Sequence, residues 1–339
     1  MPKRDIIVIG ASSGGIEALR VLVGDLPKDF AASIFIVVHM GPGSPGILHQ
    51  ILNRAGNVKA IDPSDGQEIQ PGRIYVAPPD RHLILEPGKI CLSRGPKENR
   101  FRPAVDPLFR SAAQVYGPRV IGVILSGGLD DGTAGLWAIK KLGGTTVIQD
   151  PDDALFPSMP ANALRYVSVD YSVPIRDLGT LLMRLTEIDA DEKWRYDVPE
   201  HLDIEVRIAK QDPALDLDVR QIWEKSSYTC PECHGVLLQL TEAGRERFRC
   251  HTGHAFSADG LLASLTESVE EALWNAIRNV EESVLLMRHL ARHLKDLDPP
   301  AAKEFLNKAE EAQRRSELVR QAVMSHEELN LELIEEEST

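Results

Sequence analysis

The stretch Ile6-Ile7-Val8-Ile9-Gly10-Ala11-Ser12-Ser13-Gly14-Gly15 constrains the fold more than any other part of the chain. A β-branched apolar run that breaks into small residues and resumes at helical spacing, at Ile16, Leu19 and Val23, reads as strand, tight turn and helix. Ser12 stands at the apex of that turn and is the serine of a G-x-S-x-G match from Gly10 to Gly14. Glycines let such a turn bend sharply, so that a hydroxyl projects past the strand's carboxyl end while unpaired helix N–H groups face whatever it attacks. This suits a nucleophile beside an oxyanion site; the bland alternative is that Ser12 and Ser13 cap the helix. Two other users of this turn are excluded by sequence. No G-K-[ST] follows, as a P-loop needs, and none of the six tyrosines has the lysine of a Y-x-x-x-K dehydrogenase pair.

Further runs repeat the pattern. Ile34 to Val38 ends at His39-Met40 and a glycine/proline loop, followed by a helix from about Ile47 to Ala55. Val105 opens a helix, Val120 to Leu125 reads as a central parallel strand ending in Ser126-Gly127-Gly128-Leu129-Asp130-Asp131-Gly132, and Thr145 to Gln149 reads as one more strand. Strands and helices alternating in this way predict an α/β fold, a doubly wound and mostly parallel sheet. Beyond it the sequence changes character. We expect a catalytic domain over 1–187, a linker over 188–227, a cysteine/histidine module over 228–257 and an acidic helical hairpin over 258–339, its second helix running from Pro299-Pro300 to about Glu335.

Charge follows the same division. The net charge of -13 falls entirely after residue 190, since residues 1–190 carry 20 Lys+Arg and 20 Asp+Glu. Nucleic acid is therefore not an expected partner. No apolar stretch reaches the roughly 18 residues of a membrane span, and Met1-Pro2-Lys3-Arg4 leads directly into a strand, so no membrane insertion is expected and the predicted location is cytoplasmic.

In an open parallel sheet, ligands bind beyond the carboxyl ends of the strands. Ser12, His39 and Asp131 all fall at such ends. Acyl transfer needs a hydroxyl, an imidazole to take its proton and a carboxylate to orient the imidazole, in any chain order. Singly, His39 reads as a loop histidine and Asp131 as a turn residue; together the three form a candidate catalytic triad.

Four blocks carry a family resemblance. Gly10-Ala11-Ser12-Ser13-Gly14-Gly15, Val38-His39-Met40, Arg102 to Ser111 (R-P-A-V-D-P-L-F-R-S) and Leu125 to Gly132 together resemble the signature of the chemotaxis protein-glutamate methylesterases, the CheB family. By resemblance Ser12 is the nucleophile, His39 the base and Asp131 the orienting acid. The implied reaction is hydrolysis of glutamate γ-methyl esters on chemoreceptors or receptor-like proteins, with glutamine deamidation as a related activity and no cofactor for catalysis. The family commonly begins with a receiver domain, whereas here the catalytic strand starts at Ile6, so phosphorylation-gated activation in cis is not expected.

Cys230-Pro231-Glu232-Cys233 and Cys250-His251-Thr252-Gly253-His254 are separated by 16 residues, a spacing that suits a structural zinc held by Cys230, Cys233, Cys250 and His254, with His251 as the alternative fourth ligand. Such a module is too short to fold on an apolar core, so metal would supply its folding energy. Its distance in sequence from Ser12 predicts that chelation unfolds the module from Tyr228 to Phe256 without inactivating the esterase domain; the C-terminal half is expected to be a docking element, with self-association as the bland alternative, so that truncation after about Asp189 leaves small-ester hydrolysis unchanged but weakens turnover of receptor substrate. The hairpin must bury its apolar stripe against itself, a second copy of the chain or another protein. A rival reading of the whole is a non-catalytic docking or scaffold protein that retains the esterase fold.

Overall fold

The computed structural model describes residues 2–191, 198–211, 223–242 and 244–324. Seven parallel strands form the main sheet: β1 (Ile6–Ala11), β2 (Ser33–Val38), β3 (Lys59–Ile61), β4 (Arg73–Val76), β7 (Val120–Ile124), β8 (Thr145–Gln149) and β9 (Tyr171–Val173), in the order β3-β4-β2-β1-β7-β8-β9. Side chains along β1 alternate between faces, as pleating requires. Ile7 and Ile9 pack in a cluster with α1 (Gly15–Asp25), α2 (Leu48–Ala55) and α6 (Ile175–Thr186). Ile6 and Val8 pack in the opposite cluster with α3 (Val105–Tyr116), α4 (Thr133–Lys141) and α5 (Ser158–Tyr166). The sheet is doubly wound, and the strand order reverses between β1 and β7, where such folds open a crevice. Gly10 is fixed by packing: a Cβ there would lie 2.3 Å from Val105 Cγ1, so α3 can approach β1 only over a glycine.

The runs around Pro87-Gly88 form an antiparallel hairpin, β5 (His82–Glu86) and β6 (Lys89–Ser93), packed on α3. From it the loop 94–104 leads to α3. This loop is tied down along its length. Buried His82 bonds Pro96 O through Nε2 (2.9 Å) and accepts the Ala104 N–H on Nδ1 (3.3 Å), a neutral ring that burial holds below the usual histidine range. Arg102 bonds Asp80 Oδ1 through Nε (2.9 Å) and Gly95 O through Nη1 (2.8 Å).

The chain divides into two compact units, the first running to Leu261 and the second beginning at Leu262. This differs from the four regions expected from sequence. The stretch 188–227 contains α7 (Glu200–Ala209), the buried Trp223 and the start of a strand, while Trp194 lies outside the described residues. The cysteine module is a four-stranded antiparallel sheet, β10 (Glu224–Thr229), β11 (Val236–Glu242), β12 (Arg245–Cys250) and β13 (Ala255–Ser257), and it belongs to the first unit. Its apolar support comes partly from α7, whose Ile204 and Ile208 cluster with Trp223, Leu238 and Leu240.

Charges bind α7 and β12 to the parallel-sheet part. Fully buried Glu205 of α7 meets Arg110 Nε (3.5 Å), Arg247 Nη1 (2.9 Å) and Arg249 Nη2 (3.1 Å), and Glu98 meets Arg249 (3.2 Å) and Arg110. Burial alone would raise the Glu205 carboxyl, but these guanidiniums hold it far below the glutamate range. The module is thus no separable bead. Ions taken out of water need close partners, and here the partners come from both sides of the supposed linker.

In the second unit, α8 (Ala258–Leu294, which begins in the first) and α9 (Pro299–Met324) form the expected hairpin. Buried Ile277, Val284 and Ala291 recur every seventh residue, as do Ala302, Ala309, Ser316 and Val323, the spacing of a coiled-coil seam. Arg288–Gln313 and Arg320–Glu281 pair across it (both 2.5 Å). The expected continuation of α9 to about Glu335 lies outside the described residues. No helix among the described residues is long and apolar enough to cross a membrane.

Candidate active site

Ser12, His39 and Asp131 meet at the carboxyl rim of the sheet. Register does most of the work for the first two. Ala11 pairs with Val38 in parallel strands, so the next residues, Ser12 and His39, leave the sheet side by side, and the His39 N–H bonds Ala11 O (3.1 Å). The Ser12 N–H bonds Ser126 O (3.0 Å), joining the ends of β1 and β7 across the crevice. Gly14, with φ 73°, sits at the α1 N-cap position and supplies no side-chain cap, and the Gly15 N–H that opens the helix bonds back to Ser12 O (3.0 Å), closing the turn. Neither Ser12 nor Ser13 plays the capping role of the bland reading. Gly127 lets the walls close in: a Cβ there would lie 2.8 Å from Ser12 Cβ and 2.1 Å from Met159 Sδ. Ser126 Oγ donates to Ser13 O (2.8 Å) and accepts the Phe156 N–H (2.9 Å), so one hydroxyl fixes the nucleophile turn to the loop before α5.

His39 and Asp131 form a buried pair, Nε2 to Oδ2 at 2.6 Å, with side chains 3% and 2% exposed. The imidazole stacks on Phe101, ring centroids 3.8 Å apart and planes within 5°. Its other nitrogen, Nδ1, is buried with no hydrogen-bond partner. A buried polar atom left unpaired is costly, and at a functional site it marks where a ligand or reacting proton is received.

Asp131 is a carboxylate with every lone pair in use. Oδ2 also accepts the Val105 N–H (2.7 Å), and Oδ1 accepts Asn99 Nδ2 (2.9 Å) and the Asp106 N–H (3.3 Å). Two of these donors are the first N–H groups of α3, whose positive end favours an anion. Burial alone would raise the Asp131 carboxyl; the bond and charge of His39, with the Val105 N–H and the Asn99 amide, outweigh it and hold the group below the aspartate range. Nearby Asp106 goes the other way. Burial and the Asp131 charge push it up to about 7, while its Oδ1 accepts the Gly135 N–H (2.7 Å).

Phe101 and Asn99 carry functions that the sequence reading did not assign. Asn99 has φ 47°, a left-handed position where asparagine is enriched, and a polar Glu-Asn-Arg run between strand and helix is its only trace in sequence.

The Cys230, Cys233 and Cys250 sulfurs and His254 Nδ1 all lie within 4.8 Å of one another. Cys233–Cys250 (3.6 Å), Cys250–His254 (3.6 Å) and Cys230–His254 (3.7 Å) match the roughly 3.6–3.8 Å edges of a tetrahedron built from zinc–sulfur and zinc–nitrogen bonds. His251, the alternative ligand, is exposed and outside this cluster. Thr252 Oγ1 lies 3.0 Å from Cys250 Sγ and 3.2 Å from Cys233 Sγ.

The CheB methylesterase family profile matches residues 7–182. A putative protein-glutamate methylesterase/protein-glutamine glutaminase of Leptospira interrogans is 40% identical over 190 residues, 56% of this chain and 98% of that protein. The protein-glutamate methylesterase/protein-glutamine glutaminase of Pyrococcus horikoshii is 35% identical over 192 residues, 56% of this chain but only 52% of that protein, so the chain spans about half of this relative's length. The crystal structure of the Thermotoga maritima CheB methylesterase catalytic domain superposes with a TM-score of 0.52 at 35% identity, covering 55% of this chain and 99% of that one. With a family profile that spans more than half of the chain, and relatives and a solved structure that agree with it, the chain belongs to the CheB methylesterase family of carboxylic ester hydrolases.

Proposed function

We propose that the protein hydrolyses γ-methyl esters of glutamate on chemoreceptors or receptor-like proteins, and deamidates glutamine, with Ser12 as nucleophile, His39 as base and Asp131 as orienting acid. The observation that carries this reading is the buried His39–Asp131 pair, whose second ring nitrogen is unpartnered beside the strand end that bears Ser12. In the first step Ser12 Oγ bonds to the ester carbonyl carbon while its proton passes to His39 Nδ1. The α1 N-terminal N–H groups receive the negative oxygen of the tetrahedral intermediate. The carbon–methoxy bond then breaks, the leaving group takes the proton from His39 and departs as methanol, and water releases the glutamate by the same steps; from an amide the departing molecule is ammonia. Asp131 keeps its negative charge and stabilises the imidazolium.

We assign a structural zinc to Cys230, Cys233, Cys250 and His254, whose spacings suit that ion. Four protein ligands leave no open position, so the ion would order the β-sheet module and take no part in ester chemistry. None of the four cysteines is in a disulfide, which suits a reducing compartment such as the cytoplasm. Exposed Leu285, Leu286 and Leu318 on the hairpin suit a partner protein or a second copy of the chain.

The test is methanol released from methylated receptor membranes by the full-length protein, with metal content measured on the same sample. We expect release above the no-enzyme rate and about one zinc per chain. No release would overturn the esterase reading, and metal-free protein purified without chelator would overturn the zinc.

A further inference from the structure

The cysteine module touches the catalytic acid at one remove, and its contacts begin at the metal-ligand positions. Cys250 closes β12 and His254 precedes β13; between them the Cys250 N–H bonds His254 O (3.0 Å) and the Gly253 N–H bonds Cys250 O (2.9 Å). The strand that leaves this turn grips the loop 94–104. Ala255 O accepts the Asn99 N–H (2.8 Å), the Ala255 N–H donates to Lys97 O (3.2 Å), and the Ser257 N–H donates to Asn99 Oδ1 (2.9 Å).

This last bond settles which way the Asn99 amide points. With Oδ1 engaged by Ser257, the amide presents Nδ2 to Asp131, at 2.9 Å, as a donor should face a carboxylate. A second contact reaches the adjacent residue. Asp130, 3% exposed, has Oδ1 bonded by Ser257 Oγ (2.6 Å) and Oδ2 by the Arg245 guanidinium. A third anchors the loop itself, where Arg249 Nη2 meets Glu98 (3.2 Å) and Nη1 bonds Gly253 O (2.7 Å) in the metal-ligand turn.

We propose that the Cys3His centre positions the catalytic acid: a metal there sets the β12–β13 turn, the turn holds Asn99 and Asp130, and these hold Asp131 against His39. Ester turnover then depends on an ion that never meets the substrate. Without the cation, three sulfurs and an imidazole converge on nothing, and the turn that aligns Asn99 loses its brace. Asn99, Ser257 and Arg245 are positioning residues in this scheme. The proposal rests on the esterase and zinc readings above.

The experiment uses the full-length protein, first shown on the same preparation to carry metal and to hydrolyse a small glutamate γ-methyl ester, so that failure of either earlier reading is seen before the coupling is tried. Metal is withdrawn with a chelator under reducing conditions, and in parallel by Cys233→Ser, while fluorescence of the buried Trp223, stacked near Arg247 and Arg249, follows the module. We expect kcat to fall about tenfold or more with KM changed less than about twofold, a displaced pH profile of kcat, and recovery when zinc is restored. Metal-free protein with kcat within about twofold of the loaded enzyme overturns the proposal. Should metal-free protein unfold as a whole, Ser257→Ala carries the test, because it removes the Asp130 contact and keeps the backbone bond to Asn99. Its kcat should fall about threefold with the pH profile displaced, and an unchanged kcat and profile overturns the proposal.

Discussion

Ser12 and His39 are placed by main-chain geometry within one pair of neighbouring strands, whereas Asp131 is held by groups gathered from across the chain, the His39 and Asn99 side chains and the Val105 and Asp106 N–H groups. On the nucleophile side, strand register, the glycine turn and two backbone bonds suffice. On the acid side the supporting groups include Asn99, Arg245 and Ser257, the last two 115 and 127 residues from the Asp130 they hold. A backbone site tolerates change around it so long as small residues stay small. A site built from buried charges fails when any partner is withdrawn, because the charge left behind has no water to turn to.

Four measurements press on this contrast. The largest effect is expected from Ser12→Ala, which removes the proposed nucleophile's oxygen from a turn of small residues. The rate of methanol release should fall by about 10⁴-fold or more with the melting temperature unchanged, and retention of a tenth of the rate would remove Ser12 from the nucleophile's role. Next, Glu205→Leu should destabilise the first unit by roughly 3–5 kcal/mol in denaturant titration, since it takes the shared carboxylate from Arg110, Arg247 and Arg249 and leaves Glu98 and Glu242 to balance three buried guanidiniums. Because the folded-state value of Glu205 lies below its unfolded one, its contribution is present above the unfolded value near 4.5 and is lost as pH falls through the folded one. The variant should therefore lose part of the acid sensitivity of wild type.

A smaller loss is expected from Gly127→Ala, whose methyl would press on Met159 and Ser12; about 1–3 kcal/mol of overpacking should appear in stability, and a KM unchanged with lowered kcat would place the pressure on the nucleophile. The mildest is Asp106→Asn. Its folded value of about 7 exceeds the ordinary 3.8, so the folded protein keeps a proton that the unfolded chain releases in between. Asp106 thus favours the fold most below about pH 4, and this contribution falls as pH rises to about 7. The amide should flatten that part of the stability–pH curve, and a curve identical to wild type would show that Asp106 is already ionised there.

The same contrast explains what could be read without a structure. Ser12 and His39 each terminate an apolar run and Asp131 stands in the loop that follows one, so hydrophobic patterning put them beyond strand ends and the sheet's topology put those ends together. Asn99 and Phe101 gave no such signal, because their roles come from the path of a loop and from a strand over 150 residues later. The docking of the module was illegible for a sharper reason. In β12, Arg245, Arg247 and Arg249 alternate with Glu246 and Phe248, and all three arginines are buried. A period-two reading expects the buried face to be apolar, so a guanidinium face passes for solvent-exposed strand. Glu205 deceived in the same way, and with it α7 passed for linker. The same contacts bear on the expectation that a cut after about Asp189 leaves small-ester hydrolysis unchanged: such a cut removes Glu205 and its partners Arg247 and Arg249, and takes Arg245 and Ser257 from Asp130.

Asp131 takes the far nitrogen of the His39 ring, Nε2, and leaves the near one, Nδ1, one bond from the carbon that joins the ring to its side chain. A base working from its near nitrogen has a short reach. It cannot lean over an open cleft toward a distant hydroxyl; the hydroxyl has to be delivered close to the base's own backbone. Adjacent parallel strands do that, since Ala11 and Val38 are partners in register and the next residue on each leaves the sheet alongside the other. The proton path is then short, and it runs between two residues that leave the sheet side by side.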